Sequence, residues 1–305
     1  MSTVAASRVA TTTAPAALTA GARQVVADYV TLTKPKVQSL LLLTTVTTMY
    51  VAGDPSLSLV LWTVLGGSLA SGGAGAVNHW YDRDIDAQMA RTATRPVAAG
   101  RIAPRSALTF GIALAALSFV QLSLTVNVLS AALALCGFLG YVFVYTVWLK
   151  RSTPQNIVIG GAAGAVPPLV AWAAVTGRVE LEALYLFAIV FYWTPPHFWA
   201  LSLLMKDDYA RVGVPMMPVV RGETETRQLI VLYTVLLVAL TLMPVVFGYF
   251  GLIYGAVAAL LGGWFISLSL RLWREAERRS ALRTYLFSLA YLALLFCAMV
   301  LDARL

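Results

Sequence analysis

The chain has 305 residues, of which 59% are hydrophobic and only 12% are charged. Soluble globular proteins carry about 25% charged residues, so this composition excludes a soluble globular class. The formal net charge is +8, but no nucleic-acid-binding motif accompanies it. We therefore assign the positive charge to basic loops that face anionic lipid, and we expect no nucleic-acid partner.

The first 24 residues are rich in Ala, Thr and Ser and contain no acidic residue. Such a segment has too little apolar surface to fold alone, so we predict a disordered tail over residues 1–24. It does not have the pattern of a cleaved secretory signal. An acid-free start also allows an organellar transit peptide, although we favour a plain bacterial tail. Residues 25–305 are predicted to form one polytopic membrane domain.

Apolar runs of bilayer-spanning length, about 20 residues each, recur through the rest of the chain. A segment inside a bilayer must satisfy its own backbone hydrogen bonds, so each run is predicted to be a helix. The expected fold is an all-α membrane protein with about nine transmembrane helices. The nine runs lie at roughly 30–52, 57–77, 106–125, 128–148, 156–176, 181–203, 229–249, 251–271 and 283–301.

The distribution of basic residues predicts the orientation of these helices. If the N-terminus is cytoplasmic, 20 of the 22 basic residues fall on the cytoplasmic side, and only Arg178 and Arg304 do not. Cytoplasmic loops of membrane proteins carry an excess of Lys and Arg. The sequence therefore predicts a cytoplasmic N-terminus and a bacterial cell membrane as the location, with a mitochondrial inner membrane as the less favoured alternative.

A polar block follows the second predicted span. Asn78, Asp82 and Asp86 are spaced four residues apart, so on a continuing helix their side chains share one face. Carboxylate and amide oxygens suit Mg²⁺, which typically binds one or two carboxylates together with substrate phosphate oxygens. This spacing indicates a metal site for a diphosphate at the membrane surface. The alternative is a solvated helix end whose charges only set the topology.

Basic residues near this block are candidate diphosphate ligands. Arg91 and Arg95, one helical turn apart, carry forked donors that match phosphate oxygens. Lys34 opens the first span, and Lys150 and Arg151 follow the fourth span on the same predicted side. The positive-inside rule alone would also place cations there, so both interpretations stay open. Asp84, by contrast, is predicted to point away from the block into solvent.

The sixth span ends in Pro195-Pro196-His197. Two prolines are expected to break the helix, which a membrane protein tolerates where the freed backbone groups line a cavity or meet neighbours. His197 at this break is either a substrate ligand or a packed histidine.

A second acidic pair, Asp207-Asp208, follows the sixth span. It has basic and phenolic neighbours in Lys206, Tyr209 and Arg211.

These motifs resemble the UbiA superfamily of intramembrane prenyltransferases, in particular its branch that farnesylates protohaem IX. The Asn-x-x-x-Asp-x-x-x-Asp pattern, the second acidic loop and about nine helices carry the resemblance to the superfamily. Further strings carry the resemblance to the haem branch, at 33–35, 84–96, 152–156, 195–199 and 206–219. One departure concerns the second motif, where many superfamily members have two acids four residues apart. Here Val212 and Arg211 stand four residues after Asp208 and Asp207, so the second metal position is expected to rest on one carboxylate. Of the two aspartates we favour Asp208, and the choice between them stays open.

The resemblance implies farnesyl diphosphate and haem B as substrates, Mg²⁺ as cofactor, and haem O and diphosphate as products. It implies metal binding by Asp82, Asp86 and Asp208, with Asn78, Arg91, Arg95 and Lys206 as further catalytic residues. It also implies substrate binding by Lys34, Lys150, Arg151, His197, Tyr209 and Arg211. Haem A synthase and oxidase assembly proteins are candidate partners.

Three rival functions stay open at this point. One is a related prenyltransferase that acts on a quinone precursor or another ring. Another is a membrane transporter, since broken helices and intramembrane polar groups also mark transport paths. The third is a haem-handling protein without catalysis, which would not need Asp82 or Asp86.

Overall fold

The computed structural model describes residues 16–305, with side chains from residue 21 onward. Within this part of the chain the secondary structure is helical, without a β-strand. Most of the predicted disordered tail lies outside the described residues. Its last nine residues, 16–24, instead form the first half of a helix, α1. Their Ala-rich sequence favours this conformation, because Ala is the best helix former.

Fourteen α-helices follow one another along the described chain. In order they are α1 (Ala16–Leu32), α2 (Pro35–Ala52), α3 (Leu57–Tyr81), α4 (Arg83–Asp86), α5 (Pro104–Thr125), α6 (Val128–Leu139), α7 (Asn156–Gly164), α8 (Val166–Thr176), α9 (Leu181–Leu204), α10 (Lys206–Arg211), α11 (Met217–Val220), α12 (Gly222–Val246), α13 (Leu252–Glu275) and α14 (Arg278–Arg304). A π-helix, Gly140–Trp148, and a 3₁₀ turn, Leu149–Arg151, continue α6.

The predicted fold class, an all-α membrane protein, is confirmed. Seven helical segments of the described chain are long and apolar enough to cross a membrane. The other two predicted spans correspond to α2 and α9, which form but are not among the seven. Both carry buried polar side chains, a row of threonines on α2 and Thr194, His197 and Ser202 on α9. The count of nine spans and the cytoplasmic N-terminus therefore stay predictions.

The first predicted span begins later in the structure than the sequence indicated. Helix α1 ends at Leu32 and α2 begins at Pro35, so residues 30–52 are not one helix. The residue before a proline is disfavoured in the right-handed helical region. Lys34 leaves the helical region, but it adopts a left-handed conformation, with φ of 55° and ψ of 55°, and not the extended one that a following proline favours. The chain turns a corner at Lys34, which decides where this lysine lies.

The predicted break at Pro195-Pro196 is wrong, because α9 runs through both prolines without interruption. Proline removes a backbone donor, yet a transmembrane helix tolerates this where neighbouring helices pack around it. Both prolines are buried between other elements. His197 consequently lies on a regular helix, one position after the second proline, and its orientation is set by helix packing.

Helices α3 and α5 approach each other through facing glycines. A Cβ atom built on Gly73 would lie 2.6 Å from the carbonyl oxygen of Gly111, and one built on Gly111 would lie 2.8 Å from the carbonyl oxygen of Gly73. Small residues permit such close backbone approach in a bilayer. The glycine-rich part of α3 therefore packs closely against α5.

We expect Gly73→Val to force α3 and α5 apart and to lower the thermal stability of the purified protein. Overpacking of this kind costs about 1–3 kcal/mol. Gly67→Val is the matched control, because Gly67 is on the same helix and a Cβ there meets no atom within 4 Å. Melting in detergent would measure the difference, and equal melting temperatures for the two variants would contradict this packing.

Candidate active site

The polar block lies where α3 ends. Asp82 caps the helix, and α4 starts directly afterwards. Helical backbone hydrogen bonds nevertheless continue through the junction, from Asp82 N to the oxygen of Asn78 at 2.9 Å and from Asp86 N to the oxygen of Asp82 at 2.8 Å. The spacing of the three side chains is therefore helical, as the sequence predicted.

Asn78 holds the carboxylate of Asp82. Its Nδ2 donates to Asp82 Oδ2 at 2.6 Å and to Thr146 Oγ1 at 3.3 Å, while its Oδ1 accepts from Lys34 Nζ at 2.5 Å. Asn78 is 2% exposed and Asp82 is fully buried. Since the lysine can only donate, it fixes which end of the amide faces Asp82. Asn78 is thus a positioning residue in this arrangement, and Lys34 sets its orientation.

Two cations from the loop after the π-helix compensate the buried charge of Asp82. Lys150 forms a salt bridge with Asp82 Oδ2, and Arg151 Nη2 lies 3.5 Å from Asp82 Oδ1. A buried carboxylate without such partners would be strongly destabilising. Both cations were candidate substrate ligands in the sequence, and the structure brings both to the first acidic block.

Asp84 points to the outside of the block, as predicted, with a side chain that is 56% exposed. It is not simply solvated, because Arg151 donates to both of its carboxylate oxygens at 2.7 Å. These hydrogen bonds lower the pKa of the Asp84 carboxyl to about 2. Arg151 therefore spans the surface-exposed Asp84 and the buried Asp82.

Asp86 has a partner of its own. Arg95 Nη1 lies 2.9 Å from Asp86 Oδ1 and 2.7 Å from Oδ2, and Asp86 is 3% exposed. The Thr92 hydroxyl donates to the backbone oxygen of Asp86 at 3.0 Å, which ties the following loop to this residue. Arg95 thus lies at the block, and its role as a phosphate ligand stays a prediction.

Lys34 reaches the site because the α1–α2 corner packs on a glycine face of α3. A Cβ on Gly75 would lie 2.8 Å from the backbone oxygen of Leu32 and 3.5 Å from Lys34 Cγ, and one on Gly72 would lie 3.1 Å from Thr33 Cβ. The left-handed backbone at Lys34 is uncommon for a residue other than Gly, Asn or Asp. The packed corner stabilises it, and the lysine side chain is directed to Asn78.

The second acidic loop forms a separate cluster of charges. Lys206 Nζ lies 3.0 Å from Glu223 Oε1, and Arg211 Nη1 lies 3.3 Å from Asp208 Oδ1. Asp207 is exposed, whereas Asp208 is partly buried. This difference favours Asp208 over Asp207 as the inward-facing carboxylate. The sequence missed Glu223, because it belongs to the first turn of α12 and not to either acidic motif.

Tyr209 connects this loop to the first block. Burial raises the pKa of its phenol, and the nearby Arg91 and Arg95 partly offset the increase. Tyr209 also packs against the hydrophobic cluster that contains Ile85 of α4 and Trp199 of α9. The two loops are therefore neighbours, and Arg91 lies on the side of the first block that faces the second loop.

The donor set at the first block fits a hard divalent cation. Asp82 and Asp86 present buried carboxylate oxygens, and buried negative charge requires a compensating cation. In the described part of the chain, no three acidic, His or Cys side chains lie close enough to form a preassembled metal site. Asp208 is therefore not joined to Asp82 and Asp86 here, and its role as a metal ligand stays a prediction.

His197 lies on α9 and faces α14, apart from the hydrogen-bonded acidic block. It is 6% exposed, and its Nδ1 is 2.7 Å from the Ser288 hydroxyl oxygen. Its ring stacks on Trp193, with centroids 4.3 Å apart, and on Tyr285, with centroids 4.9 Å apart. His79, in contrast, is buried at the end of α3 with an unpartnered Nδ1. The other candidate residues thus belong to two charged clusters, whereas His197 belongs to an aromatic cluster.

The π-helix contributes residues that sequence reasoning missed. Tyr141 lies beside Lys34, with its hydroxyl 3.5 Å from Nζ, and Thr146 contacts Asn78. π-Helical turns are rare and are frequent at functional sites. A π-helix changes the angle between successive side chains, and an apolar sequence does not reveal this change. The available signal in the sequence was the presence of Tyr141, Tyr145 and Thr146 shortly before Lys150.

Solved structures share this fold. The chain superimposes on a digeranylgeranylglyceryl phosphate synthase with a TM-score of 0.76 at 19% identity, covering 92% of this chain and 99% of that one. A UbiA homologue from Archaeoglobus fulgidus, bound to GPP and Mg²⁺, gives a TM-score of 0.66 at 18% identity, covering 89% and 99%. At these identities the likeness establishes the fold.

Sequence relatives are much closer. A protein of Roseiflexus sp. (strain RS-1) named protoheme IX farnesyltransferase is 56% identical over 90% of this chain, but the chain spans only 52% of its length. The chain likewise spans about half of a Chloroflexus aurantiacus relative with the same name, at 55% identity over 92% of this chain and 48% of that protein. A Symbiobacterium thermophilum relative, also so named, is 54% identical over 92% of this chain and 95% of its own length.

The family assignment rests on most of the chain. The UbiA prenyltransferase family matches residues 41–295, which run from α2 to α14 and include both charged loops. The acidic block and its cations Arg95, Lys150 and Arg151 lie within the match, whereas Lys34 lies just before it. The chain therefore belongs to the UbiA prenyltransferase family.

Proposed function

We propose that this protein transfers the farnesyl group of farnesyl diphosphate to a vinyl group of protohaem IX, with addition of water, giving haem O and diphosphate. The observation that carries the proposal is the pair of buried carboxylates, Asp82 and Asp86, each matched by a cation. Lys34 and Arg151 add further positive charge at the same block. These four basic side chains and the three carboxylates of Asp82, Asp84 and Asp86 give the block a net charge of one positive unit. A positive net charge attracts a polyanion such as a diphosphate.

The haem acceptor is proposed from the relatives. The Symbiobacterium thermophilum protein carries the name protoheme IX farnesyltransferase and matches over nearly its full length. The high identity includes the region of both acidic loops, so we carry the named reaction over to this chain. The rival quinone-type acceptor has no corresponding support among these relatives.

The first chemical step breaks the bond between the farnesyl carbon and the diphosphate oxygen, and the electron pair leaves with diphosphate. Mg²⁺ held by Asp82 and Asp86, with Asp208 as a further ligand, would supply positive charge that stabilises the leaving group. In this structure Arg95 forms a salt bridge with Asp86, and Lys150 forms one with Asp82. On substrate binding they are released towards the phosphate oxygens, where Arg91, Lys206 and Arg211 assist them.

The second step joins the allylic carbon to the haem vinyl group. An allylic cation is stabilised by aromatic faces, and Tyr141 and Tyr145 lie one turn apart, with ring centroids 5.3 Å apart, beside the acidic block. The vinyl carbon attacks this cation, water adds to the cation that results, and a proton leaves. His197 and Tyr209 are proposed to orient the haem, and the apolar helices to enclose the farnesyl chain.

The proposed location is the bacterial cell membrane, with both charged loops on the cytoplasmic side. A multi-span membrane protein receives a prenyl diphosphate at the membrane surface while the prenyl chain enters the bilayer. Haem A synthase or oxidase assembly proteins are the proposed recipients of the product. This arrangement places the charged head group at the loops and the apolar tail among the helices.

A single assay tests the proposed function. Purified protein in detergent receives haem B, farnesyl diphosphate and Mg²⁺, and mass spectrometry detects haem O. We expect haem O to form and to disappear when EDTA is added. Failure to form haem O, together with product from a quinone precursor, would redirect the assignment to the quinone-type enzymes. Flux of an unmodified substrate in vesicles would instead favour a transporter.

A further inference from the structure

His197 is held in place by three side chains, two from α14 and one from its own helix, α9. Ser288 lies at its Nδ1, Tyr285 stacks on one ring face, and Trp193 of α9 stacks on the other. The indole of Trp193 is itself fixed, because its Nε1 donates to the backbone oxygen of Ser288 at 2.7 Å. The imidazole plane is therefore determined by packing before any ligand binds.

The Ser288 hydroxyl determines which nitrogen of His197 carries the proton. A serine hydroxyl has one proton, and Ser288 Oγ lies 2.6 Å from the backbone oxygen of Tyr285. A carbonyl oxygen can only accept, so the serine proton is directed to Tyr285. The contact between Ser288 Oγ and His197 Nδ1, at 2.7 Å, then requires that the imidazole donates. His197 is consequently the Nδ1–H tautomer.

This tautomer leaves a lone pair on Nε2. Within residues 21–305, Nε2 of His197 has no hydrogen-bond partner and is not completely enclosed by protein atoms. A neutral imidazole nitrogen with a free lone pair is a ligand for iron. Histidine ligands of metals typically donate their other N–H to a fixed acceptor, as His197 does to Ser288.

We propose that Ser288 is a positioning residue that presents His197 Nε2 to the iron of the haem substrate. The inference rests on the proposed function, since it takes a haem as the ligand. His197 is the group that touches the iron, and Ser288 acts through His197 by setting the tautomer and the ring orientation. The contact between Ser288 and His197 involves no residue of either acidic loop, so iron ligation can be tested apart from diphosphate binding.

The test uses the purified full chain in detergent without farnesyl diphosphate. Haem B and metal-free protoporphyrin IX are titrated separately into Ser288→Ala, and the haem absorption spectrum is recorded. We expect haem B to bind about 10-fold more weakly, with an altered Soret band, because loss of such a partner typically costs 10–100-fold in metal affinity. Protoporphyrin IX, which has no iron, is expected to bind as it does to the unmodified chain.

Two variants complete the test. Ser288→Thr retains the hydroxyl and is expected to restore haem affinity and the spectrum. Ser269→Ala is the matched control, because Ser269 is equally buried and its hydroxyl also donates to a backbone oxygen three residues earlier, but it contacts no histidine. We expect Ser269→Ala to leave the haem spectrum unchanged.

The possible outcomes separate this inference from the proposed function. If Ser288→Ala weakens haem B and protoporphyrin IX equally, or changes neither the affinity nor the spectrum, the iron-ligand inference is overturned even where haem O is formed. If the spectrum reports histidine ligation that depends on Ser288 but the unmodified chain forms no haem O, the inference stands and the transferase assignment fails.

Discussion

The variant Asp86→Asn is expected to reduce prenyl transfer about 1,000-fold, at the upper end of what loss of one charge-stabilising group costs. The substitution keeps the shape of the side chain but removes its charge, so the proposed Mg²⁺ site would lose a carboxylate ligand. Arg95 also loses the partner that holds it beside the site. Steady-state rates at saturating substrates would measure the effect, together with the Mg²⁺ concentration needed for half-maximal rate.

Asp84→Asn is the matched control for this experiment. Asp84 lies two residues away on the same short helix, but its side chain is exposed and pairs with Arg151 on the outside of the block. We expect it to retain most of the activity. Comparable rates for Asp86→Asn and the unmodified protein would show that Asp86 does not bind the metal.

The variant Lys150→Met is expected to slow turnover about 100-fold, since it removes a proposed donor to the departing diphosphate. Methionine preserves most of the length and the apolar stem of lysine, so packing is little changed. The thermal stability is also expected to fall, because Asp82 is fully buried and loses its closest cation. Added farnesyl diphosphate and Mg²⁺ are expected to protect this variant less than the unmodified protein.

Lys36→Met serves as the control for charge alone. Lys36 is exposed in the first turn of α2 on the same predicted side of the membrane. Its loss is expected to leave both turnover and melting temperature unchanged. If Lys36→Met and Lys150→Met lose activity to the same extent, the effect is one of net surface charge, and the specific role of Lys150 is wrong.

Much of the site was predictable because its chemistry is local in the sequence. Asn78, Asp82 and Asp86 are close along the chain, and helical spacing alone places them on one face. Arg95 follows nine residues after Asp86 and pairs with it in the structure. The apolar runs predicted the all-α membrane fold for a similar reason, since a bilayer forces each run to satisfy its own backbone.

The pairings between distant segments were not predictable in the same way. Lys34 contacts Asn78 across 44 residues, and Lys150 contacts Asp82 across 68. The positive-inside rule explained both lysines equally well as topology signals, so the sequence left the two interpretations open. Helix packing distinguishes the two interpretations. The corner at Lys34 packs on the glycine face of α3, and the 3₁₀ turn after the π-helix places Lys150 next to Asp82.

The predicted break of α9 at Pro195-Pro196 was wrong because the prediction considered only the local backbone. Two adjacent prolines indicate a break when only the local backbone is considered. In the structure both are buried among neighbouring helices, and α9 stays regular. Proline removes a backbone hydrogen bond, and this cost can be recognised from the local sequence. Packing against several helices stabilises α9 in compensation, and it depends on segments that are distant in sequence.

By itself, the sequence determined the class of fold, the two acidic loops and the residue types available for a diphosphate and a metal. These follow from hydropathy, charge and short-range helical spacing, which depend on residues near one another along the chain. Only the tertiary structure decided that Lys34 orients Asn78, that Lys150 compensates Asp82 and that Ser288 sets the tautomer of His197. Each of these contacts joins helices far apart in sequence, and their relative positions arise from packing of the whole bundle.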